Sequence, residues 1–132
     1  MSLRSPLARV RGLGSAKEGV QHWWMQRLTA VALVPLSLWF VASVVCQVGA
    51  EHAAMRAWLV RPTVAIPMLL LIVATFHHAQ LGLQVVIEDY VHTPVMKYTL
   101  LLFVNFACFA LAGVGIAAVV KLHFLDVIAA SL

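Results

Sequence analysis

The stretch Thr63-Val-Ala-Ile-Pro-Met-Leu-Leu-Leu-Ile-Val-Ala-Thr-Phe-His77-His78-Ala-Gln80-Leu-Gly82-Leu-Gln84-Val-Val-Ile87 contains no Asp, Glu, Lys or Arg. As an α-helix rising about 1.5 Å per residue it is long enough to cross a hydrocarbon core of about 30 Å with some tilt. Pro62 stands just before it, where a proline suits the first turn of a helix. Its second half carries His77, His78, Gln80 and Gln84. Polar and ionisable groups at membrane depth are costly unless another helix, a metal or a cofactor compensates them. The same segment therefore reads as a membrane span and as the place where the chemistry sits.

Outward from it, two further runs have the same character. Leu28 to Val48 is apolar apart from small hydroxyls and a terminal Gln47, and Tyr98 to Val120 is apolar apart from Asn105. Gly113 and Ala117 form a small-xxx-small pair that lets another helix approach closely. The expected fold is all-α, with three transmembrane helices at approximately 28–48, 63–87 and 98–120, short loops, and one compact helical unit over residues 1–132. Composition agrees: of 132 residues 63% are hydrophobic and 11% charged, against about 25% charged in soluble domains. Cys46 and Cys108 lie singly in apolar runs, which speaks against a disulfide framework or a cysteine-ligated metal. The net charge of +4 includes no basic stripe, so nucleic acid is not an expected partner.

The charges serve topology instead. Arg4, Arg9, Arg11, Lys17, Arg27 and Lys97 fall on one side of the three spans, and only Arg56, Arg61 and Lys121 on the other. The positive-inside rule then puts the N-terminus inside and the C-terminus outside. The leading segment and first apolar run are too long for a typical cleaved signal peptide. An Arg-bearing, acid-free start also suits a mitochondrial presequence; the bacterial inner membrane is the expected location and the mitochondrial inner membrane the alternative.

Helix phase separates the adjacent histidines. At about 100° per residue, His78 and Asp89 come within about 20° of one face, with Gly82 and Val85 between them. A flat group bonded to the imidazole, such as a haem, could lie against the side-chain-free Gly82. His77 lies about 100° away on a stripe with Gln80, Gln84 and Glu88 that suits a polar helix–helix contact. Spacing alone leaves plainer readings open. An intramembrane histidine can simply bridge two helices, Tyr90 suits an interfacial aromatic, and Asp89 suits a solvated loop acid.

His78-Ala-Gln-Leu-Gly82-Leu-Gln-Val-Val-Ile-Glu-Asp89-Tyr90-Val-His92, of the form H-x3-G-x6-D-Y, resembles the second-helix signature of the small cytochrome b membrane-anchor family of succinate dehydrogenase. His22-Trp-Trp-Met-Gln26-Arg27-Leu-Thr29-Ala30 resembles the motif that opens the first helix of the same family, and the Gly19-to-Arg27 spacing also fits. The resemblance covers nearly the whole chain. It implies a respiratory complex II of four different chains, with a succinate dehydrogenase (quinone) activity that this chain lacks alone. FAD would lie in a flavoprotein partner and iron–sulfur clusters in an iron–sulfur partner, while a second cytochrome b anchor would share a haem b with this chain in the lipid bilayer. His78 would be an axial haem-iron ligand. Arg27 would meet a haem propionate, Gly82 and His22 would belong to the haem surroundings, and Tyr90 and Asp89 would serve the reduction of ubiquinone. The alternatives are a fumarate reductase anchor, a haem-free structural or assembly protein, and a proton-coupled transporter using His77, His78 and Asp89. No inverted repeat supports the last of these.

Overall fold

The computed structural model describes residues 17–131, so Arg4, Arg9 and Arg11 of the basic arm lie outside the described residues. Four helices follow one another: α1 (Lys17–Val45), α2 (His52–Leu59), α3 (Pro62–Tyr90) and α4 (Pro94–Ser131). Three of them, α1, α3 and α4, are long and apolar enough to cross a membrane. The fold is an all-α membrane fold, as the hydropathy pattern predicts.

The helices outrun the apolar spans. α1 begins at Lys17, well before Leu28, and α4 runs for 38 residues, about 57 Å at the usual rise. Apolar runs mark where hydrocarbon ends, whereas a helix ends where its backbone meets a breaker. No proline occurs from Lys17 to Leu28 or from Lys121 to Ser131, so the backbone ladder continues past the charged residues there. α1 also continues through Pro35, and α3 through Pro67. The true stops are chemical: Gly49 adopts φ 84°, a conformation that favours glycine, and Pro62 sits at the first turn of α3.

Helix α2, in the loop after α1, is absent from the hydropathy reading because its eight residues are too few to span. It packs on the ends of α3 and α4. Nearby, His123 of α4 donates through Nδ1 to the Val60 carbonyl oxygen at 3.1 Å, since a carbonyl can only accept.

α3 is the centre of the molecule. α1 packs along one side of it and α4 along another, and α1 and α4 do not touch each other among the described residues. Three helices in such a row cannot enclose a core. Val64, Ala65, Leu81 and Ile87 of α3 and Cys108 of α4 are the buried apolar residues, while Val31, Leu38, Phe103 and Phe109 are exposed. In water this surface would be untenable; lipid or neighbouring apolar helices suit it.

The close approach of α4 to α3 occurs at Gly115. A Cβ there would meet Ile72 Cγ2 at 3.2 Å and Cδ1 at 3.4 Å. Gly113, the glycine of the predicted small-residue pair, has nothing within 4 Å of that position, and Ala117 is exposed. The pair therefore packs against no helix among the described residues. Gly115→Leu is expected to cost about 1–3 kcal/mol through overpacking against Ile72, measured as a lower melting temperature of the detergent-solubilised complex. In the same complex, Gly113→Leu meets no described residue of this chain, so a lower melting temperature there would report a partner helix packed against it.

Candidate functional site

The polar residues of α3 divide between its two neighbours. On the α4 side, Gln80 Nε2 donates to Asn105 Oδ1, joining two polar groups inside apolar spans. This is the polar helix–helix contact expected of the His77–Glu88 stripe. One turn on, Gln84 Nε2 donates to Glu88 Oε1 at 2.8 Å within α3.

On the α1 side stands His78. Its Nδ1 lies 2.9 Å from Thr29 Oγ1, which is itself 2.8 Å from the Met25 carbonyl oxygen and 3.1 Å from that of Gln26. Thr29 is the one buried polar residue among those described, at 8% exposure. His78 Nε2 has no hydrogen-bond partner among the described residues. Gly82, one turn further, faces the same helix: a Cβ there would meet Gln26 Nε2 at 3.5 Å. His78 and Gly82 thus share a face, as helix phase predicts, but α1 covers it. A flat group against Gly82 would share its space with the Gln26 side chain.

Two polar atoms in this region are buried without a partner, His22 Nε2 and Gln26 Oε1. Buried polar groups are nearly always hydrogen-bonded, so a pair one turn apart without partners among the described residues marks where a further donor or acceptor belongs. His22, Gln21 and Met25 line a groove with His77 and Leu81. His77 also borders the groove between α3 and α4. It therefore stands on an open side of α3 between the two neighbours, whereas His78 is held by α1.

In the N-terminal half of α1, the Arg27 guanidinium lies 4.6 Å from the centroid of the Trp23 ring, a cation–π contact worth about 0.5–1 kcal/mol at an exposed site. Trp23 meets Trp24 edge-on at 5.2 Å. A guanidinium set against a ring keeps further N–H donors for an anion.

The C-terminus of α3 carries Asp89 and Tyr90, both exposed. α3 is continuous from His78 to Tyr90, so these two residues are about 18 Å apart along one helix. Lys97 Nζ donates to the Glu88 carbonyl oxygen at 2.9 Å, placing a positive charge at the negative end of the helix dipole. His92 Nδ1 donates to the Tyr90 carbonyl oxygen at 3.2 Å.

The structure thus brings His78, Gly82 and Gln26 together around Thr29, sets His22 beside His77, and leaves Arg27, Asp89 and Tyr90 on open surface. Thr29 and Gln26 are the partners that sequence reasoning missed, although both stand in the quoted α1 motif.

Three apolar helices with their polar groups concentrated along the middle one define a small multi-pass membrane subunit. The chain belongs to the succinate dehydrogenase/fumarate reductase transmembrane subunit family, whose pattern it matches over residues 1–112. It is similar to the succinate dehydrogenase hydrophobic membrane anchor subunit of Rickettsia bellii (strain RML369-C), with 37% identity over 102 residues, 77% of this chain and 82% of the relative. The protein of the same description from Paracoccus denitrificans is 32% identical over 125 residues, 89% of this chain and 97% of that one. The succinate dehydrogenase membrane anchor subunit of Reclinomonas americana is 31% identical over 87 residues, 58% of this chain and 66% of its own length.

Proposed function

We propose that this chain is the hydrophobic anchor of a succinate dehydrogenase in the bacterial inner membrane, where it shares a haem b with a second anchor protein and helps to form the site of ubiquinone reduction. Partner chains carry FAD and iron–sulfur clusters; this chain carries neither and does not oxidise succinate alone. The observation that carries the reading is the fixed His78 ring: one nitrogen is tied to Thr29, and the other has no hydrogen-bond partner among the described residues. That is the state a neutral imidazole needs in order to ligate iron.

The residues present fit the cofactor. His78 would be its axial ligand, and His22 Nε2 and Gln26 Oε1, buried and unpaired, would find partners there or on the second anchor. Arg27 would hold a propionate through its N–H donors. A haem b held between two histidines supplies one-electron transfer with no open position for oxygen. Tyr90 would donate a hydrogen bond to a quinone carbonyl, and Asp89 would supply protons from water, since reduction to quinol takes two protons with two electrons. Both lie at the boundary where water and quinone can meet. The N-terminus lies inside, so Asp89 and Tyr90 face the compartment that contains the flavoprotein. Arg27 and Lys97 at that end support this orientation.

The test is purification through a tag on this chain from its own membranes. A flavoprotein and an iron–sulfur protein should co-purify, together with a b-type spectrum reduced on adding succinate. Recovery of the chain without a flavoprotein would overturn the assignment, and a flavoprotein complex without b-type absorption would leave a haem-free anchor. Expressed alone, the chain is expected to be degraded or aggregated, because His22 Nε2 and Gln26 Oε1 are buried without a partner among the described residues and His77 lines an open groove, polar groups that lipid cannot satisfy. Its abundance in membranes with and without the second anchor measures this.

A further inference from the structure

We infer that Thr29 is the positioning residue that fixes the tautomer of His78, holding the hydrogen on Nδ1 so that the Nε2 lone pair is the one available to iron; this rests on the reading of His78 as a haem ligand. Thr29 Oγ1 has three polar neighbours and a single hydrogen. Two of the neighbours, the carbonyl oxygens of Met25 at 2.8 Å and Gln26 at 3.1 Å, can only accept. A helical threonine commonly gives its hydrogen to the preceding turn, and here both acceptors of that turn are in place. The hydroxyl then has only lone pairs left for the third neighbour, His78 Nδ1 at 2.9 Å. With the hydroxyl hydrogen on the preceding turn, Nδ1 is the donor. A neutral imidazole has one ring hydrogen, so Nε2 is left as an acceptor.

The burial of Thr29 strengthens the argument. In an apolar helix most of whose surface faces outward, it is the single polar side chain enclosed among the described residues. Its position leaves the hydroxyl no alternative partner in water. The contact also spans two helices, so it fixes the direction of the ring as well as its hydrogen. An acceptor on the distal N–H of a ligating histidine raises the basicity of the ligand and favours oxidised iron.

The test uses the whole membrane complex. Thr29→Val keeps the branched shape and removes the oxygen; Thr29→Ser keeps the oxygen and removes the methyl. Loss of the acceptor should move the haem reduction potential upward in Thr29→Val and change the low-temperature spectrum of the oxidised haem. Thr29→Ser should restore both. A Val variant with full haem content and wild-type potential and spectrum would overturn the role of Thr29 while leaving His78 as ligand. If Thr29→Val loses haem, Thr29→Ser decides: retention with the wild-type potential supports the hydroxyl, and an equal loss overturns it in favour of methyl packing. A wild-type complex without b-type haem, or a His78→Leu complex that keeps the wild-type spectrum, would instead overturn the underlying reading.

Discussion

His78→Leu in the membrane complex is expected to abolish the b-type spectrum or convert it to a form that binds carbon monoxide, while His77→Ala keeps the wild-type spectrum. The two residues are neighbours in sequence and differ in what holds them. His78 is tied at Nδ1 to Thr29 across the α1–α3 contact. His77 stands on the open side of α3, lining grooves toward both α1 and α4. A ligand must present one lone pair in a fixed direction, and only the His78 ring has a partner to fix it. Disturbing even an outer partner of a metal ligand costs about ten- to a hundredfold in metal affinity, so removal of the ligand itself should cost more. Pyridine haemochrome content and carbon monoxide difference spectra measure the outcome. Loss in the His77 variant with retention in the His78 variant would overturn the assignment. Reduced yield without spectral change in His77→Ala would fit a residue that packs against a partner helix.

The spans were legible because apolar length is a property of consecutive residues, and α1, α3 and α4 each contain most or all of the segment read from hydropathy. Their ends were less legible, because Lys17–Arg27 and Lys121–Ser131 carry charged residues that a helix tolerates. The short helix α2 left no hydropathy signal, and its packing depends on contacts far along the chain. Within the site, phase arithmetic put His78 and Gly82 on one face because that follows from a single helix. It could not say what covers the face. That α1 does so, through Thr29 and Gln26, is a fact of tertiary packing. The useful signal was a threonine in an apolar run, a residue type whose hydroxyl needs a partner when enclosed. Gly115 was missed in the same way. Gly113 and Ala117 satisfy the small-residue spacing, yet Gly115 is the glycine that meets Ile72.

A row of three helices also leaves the candidate site open among the described residues. α3 touches α1 and α4, which do not touch each other, so open faces of α3 remain between them. His77 is on one such side, and His22 Nε2 and Gln26 Oε1 are buried nearby without partners. A polar group left unpaired at membrane depth costs more than one left at a water-exposed surface. No described residue of this chain supplies those partners.

Tyr90→Phe is expected to slow quinone reduction by the whole complex while leaving succinate oxidation with a soluble artificial acceptor unchanged. The substitution keeps the ring and removes one hydroxyl. Tyr90 is 79% exposed, so almost no packing within this chain depends on that hydroxyl. Stability should therefore be unaffected, and any change in rate should report on the substrate. The size of the effect separates two roles. A hydrogen bond that only positions the quinone is worth about 0.5–1.5 kcal/mol, or roughly two- to tenfold in the specificity constant. A group that gives up a proton in the transition state contributes about 10²–10⁴-fold. We expect the smaller loss for Tyr90→Phe, because a phenol hydroxyl can hold a carbonyl without surrendering its proton. The larger is expected for Asp89→Asn, which keeps the shape and removes the carboxylate that would pass protons from water. Lys97 and the Glu88 carbonyl hold the end of α3 in both variants, so the helix terminus provides the same frame for each. Steady-state rates with quinone and with the soluble acceptor, measured on the same preparations, give the comparison. Unchanged quinone kinetics in Tyr90→Phe would make the residue an interfacial aromatic, and an Asp89→Asn effect equal in both assays would make the carboxylate an assembly contact.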